Sequence, residues 1–312
     1  MARAGQTRTI AEATAVLVVL LVGAWVLFRG TLYRPSARAA AAQAHEETRA
    51  DEAIVVAVTG DVVRLSPNGG TAVLSVGQRL RADDSVRTGR DGRTDLVVGA
   101  RSRLTVTEAT QLTVREITEK VHHFKLSRGR IAVDYQADGA RLLRIESADG
   151  AAVAETQGAR FGVLSTGTAV AIATETGAVN LTSQQKTVEV RAGTQAIAVA
   201  GKPPSSAEAI PARLLLKVAD AAPAQEHGEQ LCAQVEGTAP AGSEVLVDGA
   251  PAAIAEDGRF RVRVPADPGK TSVLVAIRDA GGRETARSID CGTSGSVAHI
   301  KDFAIRWRKK GQ

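Results

Sequence analysis

Residues 170–199 read VAIATETGAVNLTSQQKTVEVRAGTQAIAV. Val, Ile, Thr and Leu recur at every second position in short runs, and Gly177 and Gly193 interrupt them. A period of two marks strands with one face buried, and β-branched residues favour the pleated surface. The same texture reaches back to Ile54. IVVAV leads to Thr59-Gly60-Asp61, VVRL to Pro67-Asn68-Gly69-Gly70, and TAVL to Val76-Gly77; TDLVV, RLTV and KLSRGRIAVDY continue it. Turn signals every 8–12 residues or so are the spacing of an all-β roll, barrel or sandwich. Stretches of helical period are nearly absent over residues 54–200, the first expected domain.

After Ala200 the pattern breaks into GKPPSSAEAIPARLLLKVADAAPA, read as a linker over 201–228, with AEAIPARLLLKV either a short helix or a strand. Alternation resumes in LCAQVEG, SEVLVDG, RFRVRVP, TSVLVAIRD and TARSIDC. Asp248-Gly249 and Asp257-Gly258 sit between alternating runs, a strong hairpin signal. Residues 229–312 are therefore expected to form a second β domain, an immunoglobulin-like sandwich. Its tail alternates Phe303, Ile305 and Trp307 as a closing strand would. The basic cluster Arg306, Arg308, Lys309 and Lys310 then reads either as a solvated end or as a contact with an anionic surface such as lipid head groups or wall polymer.

A chain of 312 residues accommodates two such domains. The net charge of +5 gathers at the two ends, and aromatic residues make up only 3% of the chain. Rings that stack on bases are too few for a nucleic-acid groove, so no nucleic-acid partner is expected.

The N-terminus carries the one long apolar run, ATAVLVVLLVGAWVLF over residues 13–28. With Ile10 and Leu32 it reaches the length of a bilayer span, and Trp25, Phe28 and Tyr33 lie where an interfacial aromatic belt would. The expected order is a short cytoplasmic tail (1–9), a transmembrane signal-anchor helix (10–32) and an Ala-rich linker (33–53). The competing reading is a cleaved signal peptide, for which Ala37-Arg38-Ala39 and Ala42-Gln43-Ala44 supply small-residue sites. Arginines on both sides of the run leave its orientation undecided by the positive-inside rule. Cys232 and Cys291 are the only cysteines, and both fall in the second domain. An isolated pair reads as a disulfide in an oxidising compartment, with two buried free thiols as the alternative. Together these features lead us to expect a single-pass membrane protein with the bulk of the chain in an oxidising compartment.

Several short motifs in the first domain resemble the FecR family of periplasmic β domains. AVTGDVV supplies Gly60 and Val62. The most specific stretch, GQRLRADDSVRTG, supplies Gly77, Leu80, Asp84, Val86, Thr88 and Gly89. Leu126, Gly129 and Val133 follow, then Gly158, Phe161 and Val163 in ETQGARFGVL, with Ala159 where the family usually has Thr, then Gly177, Val179, Ala192 and Gly193. The resemblance spans about Val55 to Ala200. Physically these read as scaffold positions: glycines for turns, Asp84 and Thr88 for hydrogen bonds to turn backbone. Founding members of the family are signal transducers with a cytoplasmic segment that engages a sigma factor. Only about nine residues precede the apolar run here, so the resemblance implies the periplasmic module without that sigma-regulating part. With this resemblance, the expected location is a bacterial inner membrane, single-pass, with the bulk of the chain in the periplasm.

No catalytic constellation stands out. His122-His123 are neighbours in a β region and so point to opposite faces, which does not suit one metal; Asp83-Asp84 are adjacent in the same way. There is no P-loop and no nucleophile elbow. Neither an enzyme nor a cofactor is expected. The expected function is an envelope protein that works by protein–protein contact as sensor, scaffold or assembly factor. The alternative is a carbohydrate- or peptidoglycan-binding module, which would need exposed aromatic platforms.

Overall fold

The computed structural model describes residues 52–137, 139–214, 216–221, 231–255, 257–265, 267 and 270–290. The expected membrane helix, the Ala-rich linker up to residue 51, Cys291 and the basic cluster Arg306, Arg308, Lys309 and Lys310 lie outside the described residues, as does the side chain of Cys232; the linker's last residue, Ala53, already opens the first strand. The chain divides into Met1–Arg49 and Ala50–Gln312, and everything below concerns the second unit. Among the described residues there is no helix long and apolar enough to cross a membrane.

The N-terminal part of this unit is all β. Its strands are β1 (Ala53–Thr59), β2 (Val62–Leu65), β3 (Thr71–Val73), β4 (Arg79–Leu80), β5 (Ser85–Thr88), β6 (Arg93–Val98), β7 (Ser102–Val106) and β8 (Gln111–Ile117). They continue with β9 (Val121–Gln136), β10 (Leu142–Ser147), β11 (Ala152–Thr156), β12 (Gly158–Ser165), β13 (Ala169–Ser183), β14 (Lys186–Arg191), β15 (Thr194–Val199) and β16 (Glu208–Ala209). These hydrogen-bond into one 16-stranded network. It folds over as two faces. Sheet A runs β4-β1-β6-β7-β9-β12-β13-β15-β16. Sheet B runs β3-β2-β5-β8-β9-β10-β11-β13-β14. All pairs are antiparallel except β9 with β10.

Strands β9 and β13 belong to both sheets, and glycines mark where they cross. In β9, residues 122, 124 and 126 point inward before the crossing and 131, 133 and 135 after it. The parity flips at Gly129, whose φ is +90°. A side chain there would collide with Thr110. In β13, pairing passes from sheet A to sheet B at Gly177 (φ +78°), where a Cβ would strike the Gly158 carbonyl. Only glycine combines that dihedral with that closeness. The enclosed core takes Leu96, Leu104, Ile131, Tyr135, Phe161 and Ile172 from sheet A, and Val86, Leu112, Phe124, Leu126, Leu143 and Leu181 from sheet B.

The C-terminal module has β17 (Lys217–Ala221), β18 (Leu231–Thr238), β19 (Glu244–Val247), β20 (Ala250–Ala252), β21 (Arg259–Pro265), β22 (Ser272–Arg278) and β23 (Glu284–Asp290). Sheet C is β17-β18-β21 and sheet D is β20-β19-β22-β23. Val235, Val245, Phe260, Val264, Val273, Val275, Ile277 and Ile289 fill its core. The Asp248-Gly249 hairpin forms as the sequence predicts, with both residues at positive φ. The linker expected over 201–228 is shorter than that. Residues 208–209 still pair with β15, and 217–221 already pair with β18, so the connection is confined to 210–216.

Asp248 is tied down at its turn. Its carboxylate accepts the Leu274 backbone N–H at 2.9 Å and meets Lys270 Nζ at 2.8 Å. Burial alone would raise its pKa, but these bonds and the Lys270 charge outweigh it and leave the pKa lowered. A depressed carboxylate stabilises the fold above its unfolded pKa of about 4, and that stability is lost as pH falls through the folded value. Asp248→Asn is expected to flatten the acid limb of a stability–pH curve below about pH 4, read by chemical unfolding; a steepened limb would contradict this. Gly129→Ala is expected to cost about 1–3 kcal/mol from dihedral strain alone, read by the shift in the urea midpoint.

Candidate interaction surfaces

The resemblance motif resolves into turn chemistry. Asp84 is 1% exposed; one oxygen accepts the Arg81 N–H at 2.8 Å and the other pairs with Arg64 Nη2 at 2.9 Å. Its neighbour Asp83 takes φ +65° and meets Arg115 at 2.6 Å on the surface. Thr88 donates its hydroxyl to the Thr107 carbonyl at 2.6 Å and accepts the Thr110 N–H at 2.8 Å, which fastens two loops together. Gly89 donates its N–H to the Asp61 carbonyl at 2.7 Å, and a Cβ on it would press on the Asp61 side chain. Gly60 (φ +65°), Gly77 (φ +84°) and Gly193 (φ +78°) are turn glycines, while Leu80 and Phe161 are core. Gly158 is different: it has no positive φ, and the nearest atom to a Cβ lies 3.9 Å away. The structure gives no reason for glycine there, beyond the Gly177 backbone packed on its carbonyl.

His122 and His123 point apart. His122 is 2% exposed, set edge-on to Tyr135 at 5.7 Å, with Tyr135 Oη and Arg141 Nη1 each 3.3 Å from its ring nitrogens. His123 faces the other way, 3.0 Å from Glu146. Among the described residues no cluster of His, Cys, Asp and Glu has metal-binding geometry. Phe124, Tyr135, Phe161 and Phe260 are all buried.

The largest unforeseen feature is the joint between the two modules. Cross-strand register builds two rows on the outer face of sheet A: Arg130–Leu164–Ala171–Ile197 and Ala132–Gly162–Ala173–Gln195. Small side chains let another backbone approach. Ala280, in the β22–β23 turn, seats among Leu164, Ala171 and Ala173, and a Cβ on Gly162 would collide with its carbonyl oxygen. Arg130 Nε donates to that same carbonyl at 3.0 Å. The turn is held in shape by Arg283, which gives its backbone N–H and its guanidinium to the Asp279 carboxylate.

Sheet D supplies the charged part of the joint. Val245, Val247, Val275 and Ile277 face the module's own core, so Glu244, Leu246, Ala276 and Arg278 face away from it. These four are buried all the same, at 2%, 8%, 4% and 5% exposure. Glu244 and Arg278 sit opposite each other in the ladder and pair at 2.9 Å; the other arm of Arg278 crosses to Glu108 of the N-terminal domain at 2.7 Å. Burial disfavours the Arg278 charge, but Glu244 and then Glu108 more than restore it, so its pKa is raised. Burial first and the Arg278 charge second lower the pKa of Arg130.

Removing one partner of a buried ion pair strands the other. Arg278→Met is expected to destabilise by about 3–5 kcal/mol, while Glu108→Gln, whose carboxylate is 36% exposed, loses about 1 kcal/mol or less. Adding Glu244→Gln to Arg278→Met is expected to recover part of the loss. Urea unfolding with protease cutting at 210–216 reads all three, and a silent Arg278→Met would remove the arginine from the account of the joint.

Comparison with known proteins agrees with the motif reading over part of the chain. Residues 84–180, about a third of the sequence, match the family model described as FecR protein. Asp84, Thr88, Gly89, Gly129, Gly158 and Phe161 lie inside the match; Gly60, Gly77, Leu80 and Gly193 lie outside it. No curated protein matches the chain. Two crystal structures, at 1.65 and 2.50 Å, assigned to an anti-sigma factor of Parabacteroides distasonis ATCC 8503, align at 13% and 12% identity with a TM-score of 0.35. Each alignment covers 40% of this chain and 60% of that one, an overlap too slight to transfer fold or activity. The stretch similar to the FecR family, residues 84–180, is built on sheets that share β9 and β13.

Proposed function

We propose that this is a membrane-anchored envelope protein, with its bulk in the periplasm, in which the FecR domain and an immunoglobulin-like C-terminal module act by protein–protein contact as sensor, scaffold or assembly factor. The observation that carries this reading is the joint. The outer face of sheet A is already shaped for a protein surface, with small residues in register and a buried arginine reaching across. A chain that fixes two β modules in one orientation presents a composite surface of defined geometry. The carbohydrate alternative loses support, because the described aromatic rings are all buried and no exposed ring platform exists among the described residues.

The surface left open includes the short edge strand β3, where Val73 is 77% exposed and Val76, just beyond, 63%. A photoreactive residue at either position, irradiated in intact cells, is expected to capture an envelope protein identifiable by mass spectrometry. Capture of glycan alone, or cosedimentation with purified cell wall without protein capture, would favour the wall-binding alternative. Protease added to cells with a permeabilised outer membrane is expected to cut at 210–216 while the cytoplasm stays sealed; protection there would place the domains on the wrong side of the membrane for this function.

A further inference from the structure

The C-terminal module has an open cleft of about 1090 Å³ that the joint does not use. Its floor is apolar: Leu216, Val218, Ile254 and Phe260. Leu216, Val218 and Ile254 are half-buried although they pack against the module's core. The cleft is walled by all three strands of sheet C, by residues 253–255 after β20 and by Arg287 of β23. Strand β17 is the first of sheet C and β23 the last of sheet D, and among the described strands neither has a partner on its outer side. Both contribute to the cleft, through Leu216 to Val218 and through Arg287. Just before β17, the Leu214 carbonyl accepts the Thr285 hydroxyl of β23 at 3.2 Å.

Charge is segregated around this cleft. Over residues 231–290 acidic side chains outnumber basic ones, nine to seven. The cleft nevertheless gathers Arg259, Arg261 and Arg287, with Lys217 from β17, against one lining carboxylate, Glu236. Glu236 engages Arg261 at 2.8 Å, and Asp257, outside the lining, engages Arg259 at 3.3 Å. These pairs are solvent-exposed, and such pairs exchange at little cost. An unpaired strand edge offers N–H and C=O groups to an extended segment, an apolar floor takes every second side chain, and cations at the rim select carboxylates.

We propose that this cleft binds an extended acidic segment of a partner protein, with apolar side chains alternating with carboxylates, docked along the β17 edge. The chain's own tail has alternating Phe303, Ile305 and Trp307, but its Arg306, Arg308, Lys309 and Lys310 carry the sign that the rim repels. The inference goes beyond the proposed function, and its failure leaves that reading standing, because capture from Val73 and Val76 tests a different surface.

The test uses the full chain in detergent and two fluorescein-labelled peptides, Glu-Val-Glu-Ile-Glu-Val-Glu and its Lys-for-Glu counterpart, followed by anisotropy. The acidic peptide is expected to bind and to weaken about tenfold between 50 and 300 mM salt, as screening of exposed charge requires. Lys217→Glu with Arg287→Glu is expected to weaken it a further tenfold or so without moving the urea midpoint. Val218→Asp serves as a second variant, blocking the floor while keeping the rim. No binding, equal binding of both peptides, salt-independent binding, or indifference to the charge reversals would each overturn the proposal. Binding that emerges only after truncation at residue 298 would also overturn it, by making the tail the occupant.

Discussion

Two strands that change sheets are the constraint on which the N-terminal domain depends. The first half of β9 pairs with β8 and β10 in sheet B, and its second half pairs with β7 and β12 in sheet A. Strand β13 does the same between β12 and β15 on one side and β11 and β14 on the other. Each crossing requires the inward set of side chains to be handed over without leaving an apolar row in water. A one-residue change of parity does this at Gly129, and a glycine backbone makes it sterically possible. The core between the sheets, from Leu96 to Leu181, follows from those two handovers.

Placed this way, sheet A has two faces with different work. Its inner face is bulky and apolar. Its outer face is thinned to Gly162, Ala171 and Ala173 where the second module arrives, and it becomes charged beyond that footprint, with Arg160 on Asp134 at 2.8 Å. The joint combines close backbone contact, which sets distance, with a buried Glu244–Arg278 pair whose arginine reaches the half-exposed Glu108, which sets angle. Arg278 Nε and Glu244 Oε1 find no protein partner within it. Such a network contributes orientation more than stability, since desolvating Glu244 and Arg278 offsets much of their attraction.

Much of this was legible in the sequence. The strands announced themselves by alternation, the hairpin at Asp248-Gly249 by its turn residues, and the scaffold positions Asp84, Thr88, Gly89 and Gly129 by their motif. The joint was not legible. EVLV and VAIR read only as strands, because alternation reports which residues face away from one core and not whether a second surface covers them. The turn at Gln184-Gln185, with φ of +49° and +60°, carries no glycine or asparagine to signal it. Within the supposed linker, AEAIPARLLLKV left helix and strand open, and the prolines and small residues around it gave no sign that it holds two short strands, β16 and the start of β17.

The shared strands also bear on how such a chain comes to be folded at all. Neither sheet is complete until β13 is present, and β13 ends at Ser183. A chain emerging from its N-terminus therefore offers β1 to β12 with exposed edges, and gains its closed core only when the last quarter of the domain arrives. The order of synthesis and the order of stabilisation are thus set against each other. A holding factor that keeps early strands from pairing with a neighbouring chain would matter most for this protein in that interval, before residue 183 is available.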